Sequence, residues 1–244
     1  RNEGMDPKHN PEFTTVELYQ AYADFNDMMD LFEDLLSGAA KEILGTYEVE
    51  WQGEKISLAP GFRRMTMAEA VKEYTGLDFM AVSDDAQAVA MANSIGVELP
   101  ETAPATWGNA LYEVFDQKVE EHLVQPTFIT MHPVDVSPLA KRSVKDPRLT
   151  ERFELFICCN EMGNAFSELN DPMDQRQRFQ KQVELREGGD EEAGMMDEDY
   201  ITALEYGLPP TGGLGIGIDS CVMMLTNNDS IREVLLFPTM KPLD

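Results

Sequence analysis

Two kinds of hydrophobic periodicity alternate along the chain and divide it into predicted helices and strands. Between residues 26 and 44, apolar side chains recur every three or four positions, as in an amphipathic helix, and Gly45 ends the pattern. Residues 13–19 alternate with a period of two, which predicts a half-buried strand. Runs at 47–58 and 127–131 predict a hairpin and a further strand.

The middle of the chain is predicted to be a helical insertion between sheet segments. Thr66 and Glu69 have the spacing of a capping box, in which each side chain binds the other residue's backbone N–H group. Asp84 and Thr106 are typical N-cap residues for two further helices, of which the second is predicted to continue through Val124. Residues 77–125 are therefore predicted to form the insertion.

The last third of the chain begins with a charged helix. Asp171 followed by Pro172 predicts its start, and the helical pattern continues to Glu187. The glycine-rich run at 208–219 predicts a strand that leads into a helix at 220–226, and residues 234–237 predict a final strand.

The glycine run does not have the spacing of a dinucleotide-binding fingerprint, and it does not open a βαβ unit. It predicts backbone that a flat ligand could approach closely, beside a helix N-terminus that stabilises phosphate charge. Tight packing of strands explains the same glycines equally well.

Charged side chains within apparently buried strands mark residues 152–171 as a candidate site, because ionised Glu is seldom buried without a partner. If Cys158 and Cys159 form a two-residue turn, Phe156 faces Glu161, and Glu154 lies diagonally across from Glu161 on one face. Two such carboxylates favour the binding of an Mg²⁺ ion that is also coordinated by substrate phosphates. Two solvated Glu side chains on the wet face of an antiparallel sheet are the alternative.

The strand at 13–19 carries a similar mixture on one face. Phe13, Thr15, Glu17 and Tyr19 share that face, which places an aromatic ring, a carboxylate and a phenol together. The pattern fits the wall of a pocket for a cationic ligand, and it fits the polar outer face of an edge strand equally well.

Composition narrows the possible partners and compartment. With 19 basic and 45 acidic residues, the formal charge is −26, so most of the surface repels nucleic acid and any contact with it must be local. No apolar run approaches the roughly 18 residues of a membrane span, which predicts no membrane contact. The three cysteines fit neither a disulfide framework nor a zinc motif, and a cytoplasmic location is expected.

Three segments in this order resemble motif 2, the substrate-binding hairpin and motif 3 of bacterial-type lysyl-tRNA synthetases, which are class II aminoacyl-tRNA synthetases. The segments are Arg1-Asn2-Glu3-Gly4 with His9-Asn10-Pro11-Glu12-Phe13, then residues 154–171, then residues 213–219 with Phe237-Pro238. The likeness extends over essentially the whole chain, including residues 18–24 and 137–141.

The resemblance implies an α+β fold with a mixed, mainly antiparallel sheet flanked by helices, in agreement with the hairpin-rich order of elements. It implies that residues 1–244 are part of a class II catalytic domain, with the helical insertion inside it. Because the sequence begins with Arg1 at the motif 2 arginine, we expect a fragment that lacks the N-terminal OB anticodon-binding domain and motif 1. Members of the family are homodimers.

The resemblance further implies ATP-dependent activation of lysine to lysyl-adenylate and its transfer to tRNA(Lys). In the nucleotide site, Arg1 would bind the α-phosphate, Glu3 and His9 would contact ATP, Phe13 would stack on adenine, and Glu154 and Glu161 would hold Mg²⁺. In the lysine site, Glu17, Tyr19 and Glu168 would surround the ε-ammonium group, Arg1 and Asn164 would hold the carboxylate, and Phe166 would pack along the alkyl stem. Such chemistry relies on positioning and on charge neutralisation.

Two features depart from the family pattern. Ser220 follows Asp219 where the family has an arginine that binds the γ-phosphate, and losing such a group weakens adenylate formation by about 10² to 10³. The turn at Cys158 and Cys159 replaces residues that adopt positive φ more easily. The alternatives are a degenerate module that binds lysine or nucleotide without catalysis, and a ligase that attaches lysine to an elongation factor.

The candidate hairpin contains a conflict of parity. Asn164, Phe166 and Glu168 lie an odd number of residues from Glu161, so a regular strand would place them on the opposite face. One shared pocket therefore requires a β-bulge, and Gly163 predicts its place.

Overall fold

The computed structural model describes residues 6–190 and 193–238. Eight strands are present in this part of the chain: β1 (Thr15–Ala21), β2 (Glu48–Trp51), β3 (Glu54–Ser57), β4 (Arg63–Thr66), β5 (Thr127–Thr130), β6 (Arg152–Ile157), β7 (Asn160–Ser167) and β8 (Thr211–Gly217). Six of them form one sheet in the order β1-β8-β7-β6-β5-β4, while β2 and β3 form a separate hairpin. Only β4 and β5 pair in parallel, so the predicted mixed, mainly antiparallel α+β fold is confirmed.

Seven α-helices flank these strands in the described residues: α1 (Phe25–Leu44), α2 (Met67–Thr75), α3 (Asp85–Ser94), α4 (Trp107–Lys118), α5 (Pro172–Glu187), α6 (Glu198–Tyr206) and α7 (Ile218–Thr226). The predicted capping box of Thr66 and Glu69 begins α2, and Gly45 ends α1 with a φ of 75°. Asp171 caps α5 at the predicted residue.

The insertion is helical as predicted, and it packs on one face of the sheet. It contains α3, α4 and two short 3₁₀ turns between β4–α2 and β5. The predicted continuous helix from Thr106 to residue 124 is wrong in its second half, because α4 ends at Lys118 and a 3₁₀ turn follows at Glu120–His122.

The sheet separates two apolar cores, and β6 contributes alternate side chains to each. Phe153 packs edge-to-face on Phe128 with ring centroids 5.0 Å apart, in the core that contains α1 and α7. Phe156 packs on Phe115 of α4 with centroids 5.5 Å apart, in the core of the insertion. Glu154 has the parity of Phe156, so it lies on the insertion face of the sheet.

The predicted final strand at 234–237 is wrong. A 3₁₀ turn at Ile231–Glu233 precedes irregular chain, in which no residue from 234 to 238 pairs with a strand. Val234 and Leu235 pack against the core, whereas Leu236 and Phe237 are each 89% exposed. Two inward residues followed by two outward ones cannot follow the alternation of a strand.

Candidate functional site

Two rows of directly paired residues cross the sheet and bring the predicted lysine-site side chains together. In one row, Glu17 of β1 faces Gly215, which faces Asn164, which faces Glu154. Residues paired in this way lie on the same face. The row therefore places two carboxylates and an amide on one surface, with glycine between them.

The second row lies one step further along the same face. Tyr19 faces Gly213, Gly213 faces Phe166, and Phe166 faces Arg152. The glycines of β8 have no side chains on this face, so they form the floor of a trough between β1 and β7. The close approach of a ligand that the glycine run predicted is therefore sterically possible here.

The hairpin between β6 and β7 has the predicted turn. Ile157 pairs with Asn160 and Phe156 with Glu161, and Cys158 and Cys159 adopt φ values of 52° and 58°. These values are those of a type I′ turn, which non-glycine residues adopt at a cost. Backbone bonds from both cysteines to the carbonyls of residues 124 and 123, 2.8 and 2.9 Å long, hold the turn in place.

The expected bulge is present beside Gly163. Leu155 faces Gly163 and Phe156 faces Glu161, so Met162 is the extra residue on β7. This extra residue restores the parity, and Glu161 shares the face of Asn164. A side chain at Gly163 would lie 2.5 Å from the Gly215 carbonyl oxygen and 2.8 Å from the Phe32 ring, which explains the glycine.

Glu154 and Glu161, the predicted metal pair, interact electrostatically. The position of Glu161 inside a cavity raises the pKa of its carboxyl to about 7, first through desolvation and then through the charge of Glu154. Glu161 remains accessible to water from the cavity, whereas Glu154 is 8% exposed and forms an ion pair with Arg152.

An all-oxygen donor set of this kind fits Mg²⁺. Within residues 6–190 and 193–238, no group of three or more Asp, Glu, His or Cys side chains could hold a metal ion by itself. Mg²⁺ at this pair would therefore need further oxygen ligands, such as those of a bound phosphate.

The end of the trough assigned to the lysine ammonium group contains an unpaired buried carboxylate. Glu168 is 8% exposed, and burial raises its pKa to about 7. No Lys, Arg or His side chain of the described chain forms an ion pair with it. A side chain at Gly213 would collide with the Glu168 carboxylate and lie 3.1 Å from the Tyr19 ring, so glycine is required.

Glu17, Tyr19 and Tyr200 complete this end. The Tyr19 hydroxyl donates to a Glu17 carboxylate oxygen at 3.5 Å. Tyr200 of α6 is half-buried, and the pKa of its phenol is raised by burial and then by the nearby charges of Glu168 and Tyr19. Sequence reasoning missed Tyr200, because nothing in its local pattern links α6 to β7.

A larger cavity of about 530 Å³ lies at the other end of the trough. Its lining includes three of the predicted ATP-binding residues, His9, Phe13 and Glu161. A second cavity, of about 230 Å³, is lined by Glu17 and Asn164 among others, and both cavities share Glu161. The structure thus brings the predicted nucleotide and lysine residues to adjoining spaces.

Two predicted ATP-binding residues, Arg1 and Glu3, lie outside the residues that the structure describes. A third, Glu154, is buried and is not part of the lining of the larger cavity. Phe13 is 51% exposed, which leaves its ring free to stack on a planar group.

Ser220 lies in the first turn of α7 and faces the larger cavity. The start of α7 is tied to the chain before β1, because the Thr14 backbone N–H donates to an Asp219 carboxylate oxygen at 2.6 Å. Among the described lining residues, Lys8 and His9 are the only basic ones, and Glu120, Glu161 and Asp219 are acidic.

Arg152 is a site residue that sequence reasoning missed. Its guanidinium group donates to Asn164 Oδ1 at 2.9 Å and to a Glu154 carboxylate oxygen, and so joins two predicted ligand-binding residues. The available signal was its position two residues before Glu154, which places both side chains on one face of β6.

None of the helices in the described residues has the length and apolar character needed to cross a membrane.

Comparison with known proteins agrees with the geometry. Residues 1–241 match the family described as tRNA synthetases class II (D, K and N). The chain is 58% identical over 242 residues to a lysine–tRNA ligase of Pelotomaculum thermopropionicum, covering 99% of the chain and 48% of that protein. It is 57% identical over 244 residues to the Carboxydothermus hydrogenoformans enzyme of the same name, covering 100% and 50%. The chain spans about half the length of the curated relatives it matches.

Proposed function

Because the chain belongs to the class II tRNA synthetase family, we propose that it activates lysine with ATP and supplies the catalytic part of a lysine–tRNA ligase. The observation that carries this proposal is the row of Glu17, Asn164 and Glu154 across β1, β7 and β6, which adjoins the unpaired carboxylate of Glu168. A ligand with an ammonium group beside Glu17 and Glu168 and a carboxylate beside the Asn164 amide fits this arrangement of side chains.

The lysine end of the trough would recognise a positive charge at a fixed distance from the reacting carboxylate. Glu17 and Glu168 would accept hydrogen bonds from the ε-ammonium group, and Phe166 would pack along the alkyl stem. Asn164 would donate to the carboxylate. Two carboxylates for one ammonium group discriminate strongly against uncharged analogues, because such an analogue would leave the buried Glu168 carboxylate without a partner.

The proposed reaction takes place where the two cavities adjoin. A carboxylate oxygen of lysine attacks the α-phosphorus of ATP, the bond to the bridging oxygen breaks, and pyrophosphate leaves. Mg²⁺ held by Glu154 and Glu161 would neutralise phosphate charge in this step. His9 and Phe13 would orient the nucleotide, with Arg1 and Glu3 assigned to the same site by the family resemblance.

Ser220 favours a second candidate, a module that binds lysine or nucleotide with little or no catalysis. The hydroxyl of Ser220 faces the nucleotide cavity where the family pattern has an arginine, and a neutral group cannot replace that charge. We propose that adenylate formation is impaired for this reason. Transfer to tRNA(Lys), homodimer formation and a cytoplasmic location belong to the proposal for the whole protein.

Lysine-dependent exchange between ATP and pyrophosphate tests the proposed function. The two candidates predict different rates of exchange. Exchange that requires lysine supports the ligase, whereas lysine binding without exchange supports the module. Glu42→Gln is a matched control for substitutions of the site carboxylates, because Glu42 is an exposed residue of α1 far from the trough in sequence and on another element. Absence of exchange, of lysine binding and of ATP binding would contradict both candidates.

A further inference from the structure

Arg152 binds four acceptors with one guanidinium group. Nε donates to Asn164 Oδ1 at 2.9 Å, and Nη2 donates to Glu154 Oε1. Nη1 donates to the Val136 carbonyl oxygen at 2.7 Å and to Ser137 Oγ at 3.0 Å. The planar guanidinium group fixes the relative directions of these bonds, so the four acceptors hold its orientation.

Residues 136 and 137, which accept hydrogen bonds from Nη1, lie in a segment that is anchored by helix α5. Arg178 of α5 donates to the Ser137 carbonyl oxygen at 2.9 Å and pairs with Asp174 on its own helix. Gln175 of α5 donates to the Pro138 carbonyl oxygen at 3.0 Å. Helix α5 therefore fixes residues 136–138, and these in turn fix Arg152.

The bond to Asn164 decides which part of its amide remains for a ligand. Arg152 has only donors, so the Asn164 atom that it contacts must be the oxygen. The amide nitrogen then points away from Arg152 and offers N–H donors alone. Such a group recognises an anionic or carbonyl oxygen and gives nothing to an N–H donor of a ligand.

We propose that Arg152 is a positioning residue that selects a substrate carboxylate, by turning the Asn164 amide nitrogen toward the trough while keeping Glu154 in place. This inference rests on the proposed function, because the carboxylate concerned is that of lysine. Arg152 acts through Asn164 and does not touch the substrate. Without it, the Asn164 amide can rotate and present its oxygen to a ligand amide.

Lysine and lysinamide are the probes that separate this role from general support of the fold. Both carry the same stem and ε-ammonium group, but lysinamide has N–H donors in place of one carboxylate oxygen. The measurement is the dissociation constant of lysinamide divided by that of lysine, both obtained by calorimetric titration. In the unaltered protein we expect lysine to bind more tightly, and we expect Arg152→Gln to reduce the ratio at least ~10-fold.

A double-mutant cycle with Asn164→Ala tests whether Arg152 acts through Asn164. The single variants should each reduce the ratio, and the double variant should reduce it no further than Asn164→Ala does. Independent effects that multiply in the double variant would overturn the proposal. So would a folded Arg152→Gln variant with an unchanged ratio.

Arg148→Gln is the matched control, because the Arg148 side chain also pairs with a carboxylate, that of Asp146, and donates to the Val82 carbonyl oxygen, but it bonds to neither Asn164 nor Glu154 nor α5. Its ratio should equal that of the unaltered protein. If Arg152→Gln does not fold, Arg152→Lys retains the charge without the planar fork and should still reduce the ratio, and an unchanged ratio would overturn the proposal. Failure of the unaltered protein to bind lysine would instead refute the proposed function.

Discussion

The two ends of the trough differ in how firmly the fold fixes their residues. At the lysine end, Glu17, Tyr19, Asn164 and Phe166 lie on paired strands, where each residue has a partner directly opposite. At the nucleotide end, the cavity is lined by the chain before β1, the β6–β7 turn and the first turn of α7. The two departures from the family pattern described above, at Ser220 and at the Cys158–Cys159 turn, lie at the nucleotide end.

The pairing of strands explains why the residues of the lysine end are fixed more firmly than those of the nucleotide end. A change at Gly213 would drive a side chain into Glu168, and a change at Gly163 would meet both the Gly215 carbonyl and Phe32. Strand positions are thus constrained from several sides. Cys159 and Ser220 line the cavity, where side chains have fewer neighbours, whereas Cys158 of the same turn is buried in the core that contains α1 and α7. The lysine end is therefore predicted to be intact and the nucleotide end to be short of positive charge.

Restoring charge at the nucleotide end should produce the largest effect. Ser220→Arg should raise the rate of lysine-dependent ATP–pyrophosphate exchange by about 10² to 10³, because a cation would then face the phosphates. Ser220→Ala is the control and should leave the rate unchanged. An unchanged rate in Ser220→Arg would show that the two ends do not differ in this way.

Removing charge at the lysine end should weaken lysine binding by roughly 10- to 100-fold. Glu168→Gln preserves the shape of the side chain but removes the carboxylate that pairs with the ammonium group, and charge-assisted bonds of this kind are worth about 1.5–3 kcal/mol. Calorimetric titration with lysine measures the loss, and Glu42→Gln is the control. Equal affinity in Glu168→Gln and the control would remove Glu168 from the site.

Acidification should weaken lysine binding by about 10-fold between pH 8 and pH 6. The pKa of Glu168 is raised to about 7, so the carboxylate is mostly ionised at pH 8 and mostly protonated at pH 6. Only the ionised form attracts the ammonium group, and the affinity therefore falls as the pH falls through 7. Lysine titrations across this range should show the dependence in the unaltered protein.

The Glu168→Gln variant supplies the reference for this pH dependence. Because it has no titrating carboxyl at this position, its lysine affinity should vary less with pH than that of the unaltered protein. The same slope in both proteins would assign the titration to another group, such as Glu161, whose pKa is also raised to about 7.

Relief of strain in the turn should have the smallest effect. Cys159 adopts a φ of 58°, which glycine accepts without a steric penalty, so Cys159→Gly should raise the free energy of unfolding by about 0.5–1 kcal/mol. Urea denaturation measures the difference. Cys159→Ala keeps the penalty and should not be more stable than the unaltered protein, so an equal gain in both variants would rule out turn strain as the cause.

The sequence correctly predicted those features that are determined by residues close together in the chain. The caps at Thr66 and Asp171 and the two-residue turn at 158–159 depend on neighbouring residues alone. The bulge beside Gly163 also followed from the sequence, because the charged residues could share one face only if an extra residue corrected the parity.

The errors and omissions have causes that lie far away in the chain. Residues 234–237 are apolar enough for a strand, but they find no strand to pair with. Tyr200 comes near Glu168 and Tyr19 because α6 packs on α5, where the Tyr200 ring contacts Phe179, a placement that its own sequence does not indicate. The role of Arg152 depends on residues 136 and 137, which tertiary structure brings beside it.

Titration of the protein with lysine and with norleucine, in the absence of nucleotide, tests the central claim most directly. The two ligands have the same unbranched stem, but norleucine lacks the ammonium group. If Glu17 and Glu168 form an intact lysine end, lysine should bind and norleucine should bind at least ~10³-fold more weakly, because it would leave the buried Glu168 carboxylate unpaired. Equal affinities for the two ligands, or no binding of lysine, would contradict the account.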